Sequence, residues 1–534
     1  MMDNGSRLKA ALGYFVARVC DYVARNARVL FVVLLSIYAV WSCVGLLESP
    51  GFTTDEAPII VDAGLHYARH GFLAVPAMGP GFGHEEAVLY QTPLHFLALG
   101  YVFRVFGEGL LQARLLSVAL ALCCLCVLFL IVRRWSPLGA FFAAVLLAVD
   151  PLFTARTREA RYDWLALLGA LGAFGLLISM PSEQRRRIAS VLAAGVLVGL
   201  AVNSHVLSLI YGVIFGLLLL LPSLLGPRKA RFRWMESAVF SLGVVVTLVP
   251  FLFYASRHPT AFVEQFLHQS ADWHKSPSKT GGWLYQEALK YFQYYRLAPF
   301  GFIYFVGSMC VAGWLACRSS SEGSEPEGAG TLARLRTVFL ITLLGIGLLS
   351  VISGHRPWRL LLLAPFVSAV GGMVAVWAAK RARDSWPALF LCLLFCLAVL
   401  NGVAANWLAR TYSAFATWGE RRVDKLEARL TELIPRGSSV YGDYRLVFLA
   451  CKLDWKFVQH QDSGRRDPKR IREMKFDYLV VSEMTGDLNG INTADYVLVE
   501  ELKLGRSPFR LKNLNKTVVP IDFQVYRRVS LLAP

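Results

Sequence analysis

The chain has 534 residues, 55% of them hydrophobic and only 17% charged, with 55 Lys and Arg against 37 Asp and Glu for a net charge of +18. A mean hydropathy of +0.48 is too apolar for a soluble protein of several ordinary domains. The basic residues lie between apolar runs instead of forming the single stripe a nucleic-acid surface needs, so the composition describes an all-α polytopic membrane protein.

Taken in chain order, residues 1–28 place Leu8, Leu12, Phe15, Val19 and Tyr22 at helical spacing opposite Arg and Lys. This pattern predicts a cytoplasmic amphipathic segment on an anionic membrane surface. Val29 to Leu47 is the first run long enough to span a bilayer; no small-residue cleavage site follows, so it reads as a retained anchor. Comparable runs cover Val206 to Leu225, Ser237 to Tyr254, Leu360 to Ala379 and Trp386 to Asn406.

The basic stretches "SEQRRR", "PRKARFRW", "LARLR" and "AKRARD" become cytoplasmic by the positive-inside rule. The external set is then residues 48–92, "TARTREARYDW", "NSH", residues 255–297, "SGHRPWR" and everything after Asn406. A cytoplasmic N-terminus and an external C-terminal region require an odd number of crossings. Pro93 to Phe106 and Leu115 to Val132 are two runs, yet Arg133 and Arg134 ask for one net crossing. One run is therefore short and half-inserted, or a crossing is hidden elsewhere, and the total is about 11 to 13 helices. "CRSSSEGSEPEGAG" is a linker, and the ten cysteines form neither a disulfide framework nor a metal-ligand spacing.

Three segments follow: residues 1–28, a transmembrane domain over 29–406, and an extracytoplasmic region over 407–534. In the last, "TWGERRVDKLEARLTELIPRG" is an amphipathic helix, "RRDPKRIREMK" a helix capped by Asp467, and "SSVYG", "FDYLVVS", "DYVLVEE" and "DFQVYRRV" are strands. Alternating signals predict a small α/β domain that supports catalysis or recognises an acceptor, since it has no Gly-rich phosphate loop.

Candidate chemistry gathers in the external segments. In "SPGFTTDEAPIIVDAG" the acids Asp55 and Glu56 stand just outside the first span. Asp55 suits the cap of a helix with Pro58 in its first turn and Gly71 at its end, and a capping carboxylate beside the membrane can also accept a proton. His84, Glu85 and Glu86 form either a divalent-cation site with Asp55 or a solvated loop. Arg156, Arg158 and Arg161 defy the positive-inside trend: they grip an anionic ligand such as a lipid phosphate, or pair with Glu159 and with Asp163, which opens the next helix. His355, Arg356 and Arg359 repeat the theme. His205 is a ligand or a packing histidine, and the aromatic loop 257–299 supplies interfacial anchors or a cover for a cavity.

"LYQTPLHFLALGYVFRVFG", "LLQARLLSVALAL", "DPLFTARTREARYDWLALL", "GVLVGLAVNSH" and "HRPWRLLLLAPF", in this order after an acidic pair, resemble the GT-C fold glycosyltransferases, in particular the dolichyl-phosphate-mannose protein mannosyltransferases and the bacterial aminoarabinose lipid A transferases. The resemblance covers residues 29–406. It implies a sugar carried on a polyprenyl phosphate, transfer to a lipid, glycan or protein hydroxyl on the external face, and inversion at the anomeric carbon. It assigns the base to Asp55 with Glu56 beside it, and a second acidic position to Asp163. The family's lysine and neighbouring glutamate before the proline appear here as Thr92 and Gln91, and its arginine after the acidic pair is missing. Arg156, Arg158, Arg161, Arg356 and Arg359 are the replacements for phosphate binding; Tyr90, Gln91, His205 and His355 line the expected cavity. No cofactor is implied with certainty, and a divalent cation held by Asp55, Glu85 and Glu86 stays open. The similarity to bacterial members implies an inner-membrane protein with a periplasmic C-terminal domain, membrane lipids as partners and no nucleic acid. The alternatives are a transporter or flippase of a lipid-linked saccharide, and a noncatalytic envelope-assembly protein. The first predicts internal repeats and midplane charges, which this sequence lacks.

Overall fold

The computed structural model describes residues 4–47, 56–76, 83–220, 230–274, 291–293, 295–318, 326–352, 357–416, 422–459, 471, 473–482, 491–503 and 522–531. Asp55, His355, Arg356 and the helix capped by Asp467 lie outside these residues.

The amphipathic segment and the first span are one helix, α1 (Asn4–Cys43). Its 40 residues extend about 60 Å, twice the ~30 Å of hydrocarbon, so the two parts expected separately are continuous. A π-helical turn (Glu56–Val61) leads into α2 (Asp62–His70), which stops where Gly71 adopts φ 82° and donates its N–H to the Tyr67 carbonyl. The helix expected from an Asp55 cap stops at Gly71 as expected, closed by the residue that reaches left-handed φ without strain; its α-helical part begins only at Asp62, and Asp55 lies outside the described residues. Next come α3 (Leu94–Phe106) and α4 (Leu110–Arg133). At 13 residues α3 extends about 20 Å and is the short run of the ambiguous pair.

α5 (Pro137–Val149) and α6 (Pro151–Thr157) meet at a 64° bend. Asp150 causes it: its backbone is extended and its carboxylate accepts from the Leu152 and Phe153 N–H groups, while Pro151 starts the new helix without an N–H to satisfy. The bundle continues with α7 (Asp163–Ile178), α8 (Gln184–Ser204), α9 (Leu209–Leu220), α10 (Ala230–Ser256), α11 (Pro259–His274), α12 (Pro299–Arg318), α13 (Pro326–Ile352), α14 (Ala364–Arg381) and α15 (Trp386–Gly402). A second π-helical turn (Val403–Leu408) joins α15 to α16 (Ala409–Ala416). Among the described residues, eight helices are long and apolar enough to cross a membrane, the bent pair makes nine, and α7 and α9, shorter but apolar, bring the crossings to eleven. α3 is a third shorter apolar helix.

α8 packs on α10 backbone to backbone. A Cβ on Gly195 would stand 2.1 Å from the Phe240 carbonyl oxygen, and one on Gly199 only 1.7 Å from Thr247 Oγ1. This is small-residue packing, where close approach replaces the hydrophobic effect that lipid cannot supply.

The C-terminal region contains α17 (Val423–Leu433), α18 (Val447–Lys452) and five strands: β1 (Ser439–Gly442), β2 (Lys456–Gln459), β3 (Tyr478–Ser482), β4 (Tyr496–Leu502) and β5 (Phe523–Arg528). The sheet order is β2-β1-β3-β5-β4, parallel among the first three and antiparallel thereafter. Four strands match the sequence signals; β2, only four residues long, carried none. The region does not sit apart. One hydrophobic core joins Ile60, Leu65, Phe96 and Phe103 to Leu430, Val447, Phe448 and Phe457. Arg69 of α2 adds a polar clasp, bidentate on Glu108 at 2.7–3.1 Å and donating to the carbonyls of Cys451 (2.8 Å) and Lys452 (3.3 Å).

Candidate active site

One end each of α4, α6, α7 and α8 and the first π-turn converge on a buried layer of charge. Glu56 is fully buried. Arg114, in the second turn of α4, grips it with both arms, Nε to Oε1 at 2.8 Å and Nη2 to Oε2 at 2.9 Å, and the Ala160 N–H donates to Oε1 at 2.8 Å. Burial pushes the Glu56 carboxyl above its ordinary range while the guanidinium opposes the shift. Both oxygens are engaged, so Glu56 is a brace that pins the turn to residue 160. Glu56, expected as a catalytic carboxylate, is placed with both oxygens accepting, from a guanidinium and an amide.

The same short segment, 160–163, builds the second cluster. The Arg161 N–H donates to Ser117 Oγ at 3.1 Å, and its guanidinium Nε donates to Asp163 Oδ2 at 2.6 Å. His205 Nε2 faces Asp163 Oδ1 at 3.5 Å, while Nδ1 accepts from the Leu207 N–H at 3.0 Å. Because Nδ1 accepts, the neutral ring carries its proton on Nε2, directed at the aspartate. Burial lowers His205 to about 4, with Asp163 opposing. The Tyr162 ring packs on the imidazole at 4.6 Å, and Ser204 Oγ donates to the Tyr162 carbonyl at 2.8 Å. Asp163 opens α7 as expected, but in a clasp of arginine and histidine rather than bare.

The arginines expected to replace the phosphate ligands divide. Arg156 pairs with Glu159 and Arg161 with Asp163; Arg158 donates to the Val44 carbonyl and lies over the Trp41 ring. Pairing within the loop thus occupies two of the three, because a guanidinium taken from water needs a partner. Arg359 is buried, within electrostatic reach of His205.

Tyr90 and Gln91 are buried beside this layer. Gln265 of α11 holds them: its Oε1 accepts from the Leu89 and Tyr90 N–H groups at 2.6 and 2.9 Å, and its Nε2 donates to the Ala87 carbonyl at 2.9 Å. Thr92, in the position of the family's lysine, donates to the Val202 carbonyl at 2.6 Å. His84 is buried edge-on to Tyr90 at 5.2 Å, whereas Glu85 and Glu86 are exposed. Among the described residues no three His, Cys, Asp or Glu side chains stand as a metal would require; Asp55, the third residue of the expected cation site, lies outside them.

Two residues had no signal in the sequence. His95, in the first turn of α3, is fully buried with neither ring nitrogen hydrogen-bonded among the described residues; burial lowers it to about 4, and Asp163 and Arg161 lie within its electrostatic reach. Asp62 opens α2, fully buried beside the Cys451 thiol. Burial raises it to about 7 against the pull of Cys451 and Arg69.

A helical membrane bundle joined to a small C-terminal α/β region is the GT-C fold, and the comparisons agree. Residues 90–254 match the family described as dolichyl-phosphate-mannose-protein mannosyltransferase. Among solved structures the chain is similar to ArnT from Cupriavidus metallidurans in the apo state, with a TM-score of 0.58, 14% identity, and coverage of 94% of this chain and 98% of that one. It is also similar to ArnT from the same organism bound to undecaprenyl phosphate, with a TM-score of 0.57, 16% identity, and coverage of 96% and 100%. The arabinofuranosyltransferase AftD from Mycobacteria gives a TM-score of 0.51 at 14% identity, covering 94% of this chain and 40% of that one. No curated protein matches the sequence.

Proposed function

We propose that the protein is a membrane-embedded inverting glycosyltransferase that moves a sugar from a polyprenyl-phosphate donor to a hydroxyl on a lipid, glycan or protein at the external face of a bacterial inner membrane, with the C-terminal region in the periplasm. The observation that carries this reading is the tie between Glu56 and residue 160: it fixes the residue after Asp55 to the segment that bears Asp163. The matched family and the similar structures are glycosyltransferases, and one is bound to undecaprenyl phosphate.

In this reaction the acceptor oxygen forms a bond to the anomeric carbon as the carbon–oxygen bond to the phosphate breaks. Polyprenyl phosphate leaves with the electron pair, and the acceptor proton passes to a carboxylate, the role proposed for Asp55. Asp163, held by Arg161 and His205, orients the acceptor or the sugar. Cations among Arg156, Arg158, Arg161, Arg356 and Arg359 stabilise the charge that develops on the phosphate. The apolar surroundings strengthen each of these interactions.

The test is transfer or hydrolysis with purified protein and a panel of polyprenyl-phosphate sugars. Wild type is expected to turn over at least one donor, and Asp55→Asn and Asp163→Asn to lose about 10²-fold or more. Undiminished turnover by both Asp55→Asn and Asp55→Ala would remove Asp55 as the base.

A further inference from the structure

The segment that leads into α3 is pinned from two sides. Gln265 of α11, itself buried, engages the backbone of Ala87, Leu89 and Tyr90, and Thr92 anchors the chain to the Val202 carbonyl in the last turn of α8. Tyr90 and Phe96 share one hydrophobic core with Ala160 and Tyr162, which sets this segment against the stretch that carries Arg161 and Asp163. The end of α8 closes the corner, since Ser204 holds the Tyr162 carbonyl and His205 faces Asp163.

Two polar side chains on this fixed segment stay unspent. His95 is fully buried with neither Nδ1 nor Nε2 hydrogen-bonded among the described residues, and Gln91 Oε1 is buried and accepts no hydrogen bond among them. Buried polar groups are paired in the large majority of cases and each one left unpaired costs free energy, so two of them four residues apart, beside a buried aspartate, call for a ligand. Burial keeps the imidazole neutral, with one nitrogen donating and the other accepting, and Gln91 Oε1 adds a second acceptor. The Thr92 hydroxyl is spent on Val202. A ligand hydroxyl both donates and accepts and can satisfy imidazole and amide together. A phosphate offers acceptors alone and would leave both unspent acceptors without a donor.

We propose that His95 and Gln91 recognise a hydroxyl group of a sugar substrate beside Asp163, so that this corner sets sugar selectivity. The clamps by Gln265 and Thr92 hold the two side chains in place before the substrate arrives, which lowers the cost of ordering them on binding. The sugar on the donor and a sugar acceptor both carry such hydroxyls. The identity of the ligand as a sugar rests on the function proposed above; its recognition through hydroxyls rather than phosphate rests on the side chains themselves.

The experiment is native mass spectrometry of the purified full chain with undecaprenyl phosphate, with its mannosyl, glucosyl, galactosyl and aminoarabinosyl phosphodiesters, and with the free methyl glycosides of the same sugars. Wild type is expected to bind at least one sugar-bearing lipid about tenfold more tightly than undecaprenyl phosphate. His95→Leu is expected to cut that preference to about threefold or less with undecaprenyl phosphate binding unchanged, and His95→Gln to keep most of it, because an amide also donates and accepts. Gln91→Leu carries the same expectation and stands in if His95→Leu does not fold. A loss confined to the free glycosides upholds the hydroxyl site and assigns it to the acceptor. Two results overturn the proposal: a sugar preference that survives in every folded variant, or a wild type that prefers no sugar-bearing lipid and binds no free glycoside. Transfer abolished by Asp55→Asn would leave the enzymatic function standing in either case.

Discussion

The membrane bundle and the C-terminal roof are held together by different forces. Within the bundle the contacts are apolar or backbone to backbone, from the Phe31 and Phe129 rings stacked at 4.0 Å to Gly195 and Gly199 against α10. In the roof and the layer beneath it, buried ion pairs carry the structure: Glu56–Arg114, 58 residues apart, and the short-range pairs Arg161–Asp163 and Asp443–Arg445, the last reinforced by Ser482. A helix surrounded by lipid gains stability from fit and loses it with any unpaired charge, whereas the roof borders water and can hold charge wherever geometry is exact. Chemistry needs charge, so it is placed in the roof, and the bundle serves to hold that layer in position.

The largest effect expected from breaking this division is in the roof. Arg114→Ala strands Glu56 with Oε2 unsatisfied and Oε1 held only by the Ala160 N–H, and should destabilise this layer by about 3–5 kcal/mol, read as earlier thermal unfolding in detergent together with lost transfer. Arg114→Ala/Glu56→Gln should recover part of that stability; no recovery would mean that Arg114 acts by volume rather than charge. In the bundle, Gly199→Leu drives a side chain into Thr247 and the Val244 carbonyl oxygen, 1.7 and 2.9 Å from the new Cβ, and should cost about 1–3 kcal/mol or more, seen as lost yield of folded protein. Thr247→Ala in the same chain should restore some yield.

A third test uses pH. Asp62 titrates at about 7 when folded, above the ~3.9 of an unfolded aspartate. The folded state therefore binds its proton more tightly, so the stabilisation is complete below about pH 4 and is lost as pH rises through 7. Unfolding of the roof should become easier by a few kcal/mol across that window, and Asp62→Asn should flatten the dependence. The smallest effect belongs to the exposed pair Arg429–Glu500, 2.6 Å apart. Arg429→Ala should change stability by less than about 1 kcal/mol, and by less still in high salt.

Much of this division was legible in the sequence. Apolar length and basic loops located the spans, Gly71 ended its helix, and Asp163 opened another, because these signals act within a few residues. The acidic character of the 55–56 turn was legible too. What Glu56 does was not, since its partners are Arg114 and Ala160, 58 and 104 residues away. Arg114 sits in an apolar run and reads there as a boundary charge. His95 was silent for the same reason, a single polar residue whose surroundings come from other helices. The fusion of the C-terminal region with the first external loop had no local signal either: it is carried by ordinary core residues such as Ile60 and Phe448.

That fusion also imposes an order in time. The turn that follows Asp55 is made early, but its packing partners near residue 450 arrive almost 400 positions later, which at about 5–20 residues per second is roughly 20–80 s. Until then every intervening span must be inserted and every external loop delivered to the correct side. The C-terminal region completes the core that the first loop began, so a chain with a missing or inverted span leaves that loop without its partner.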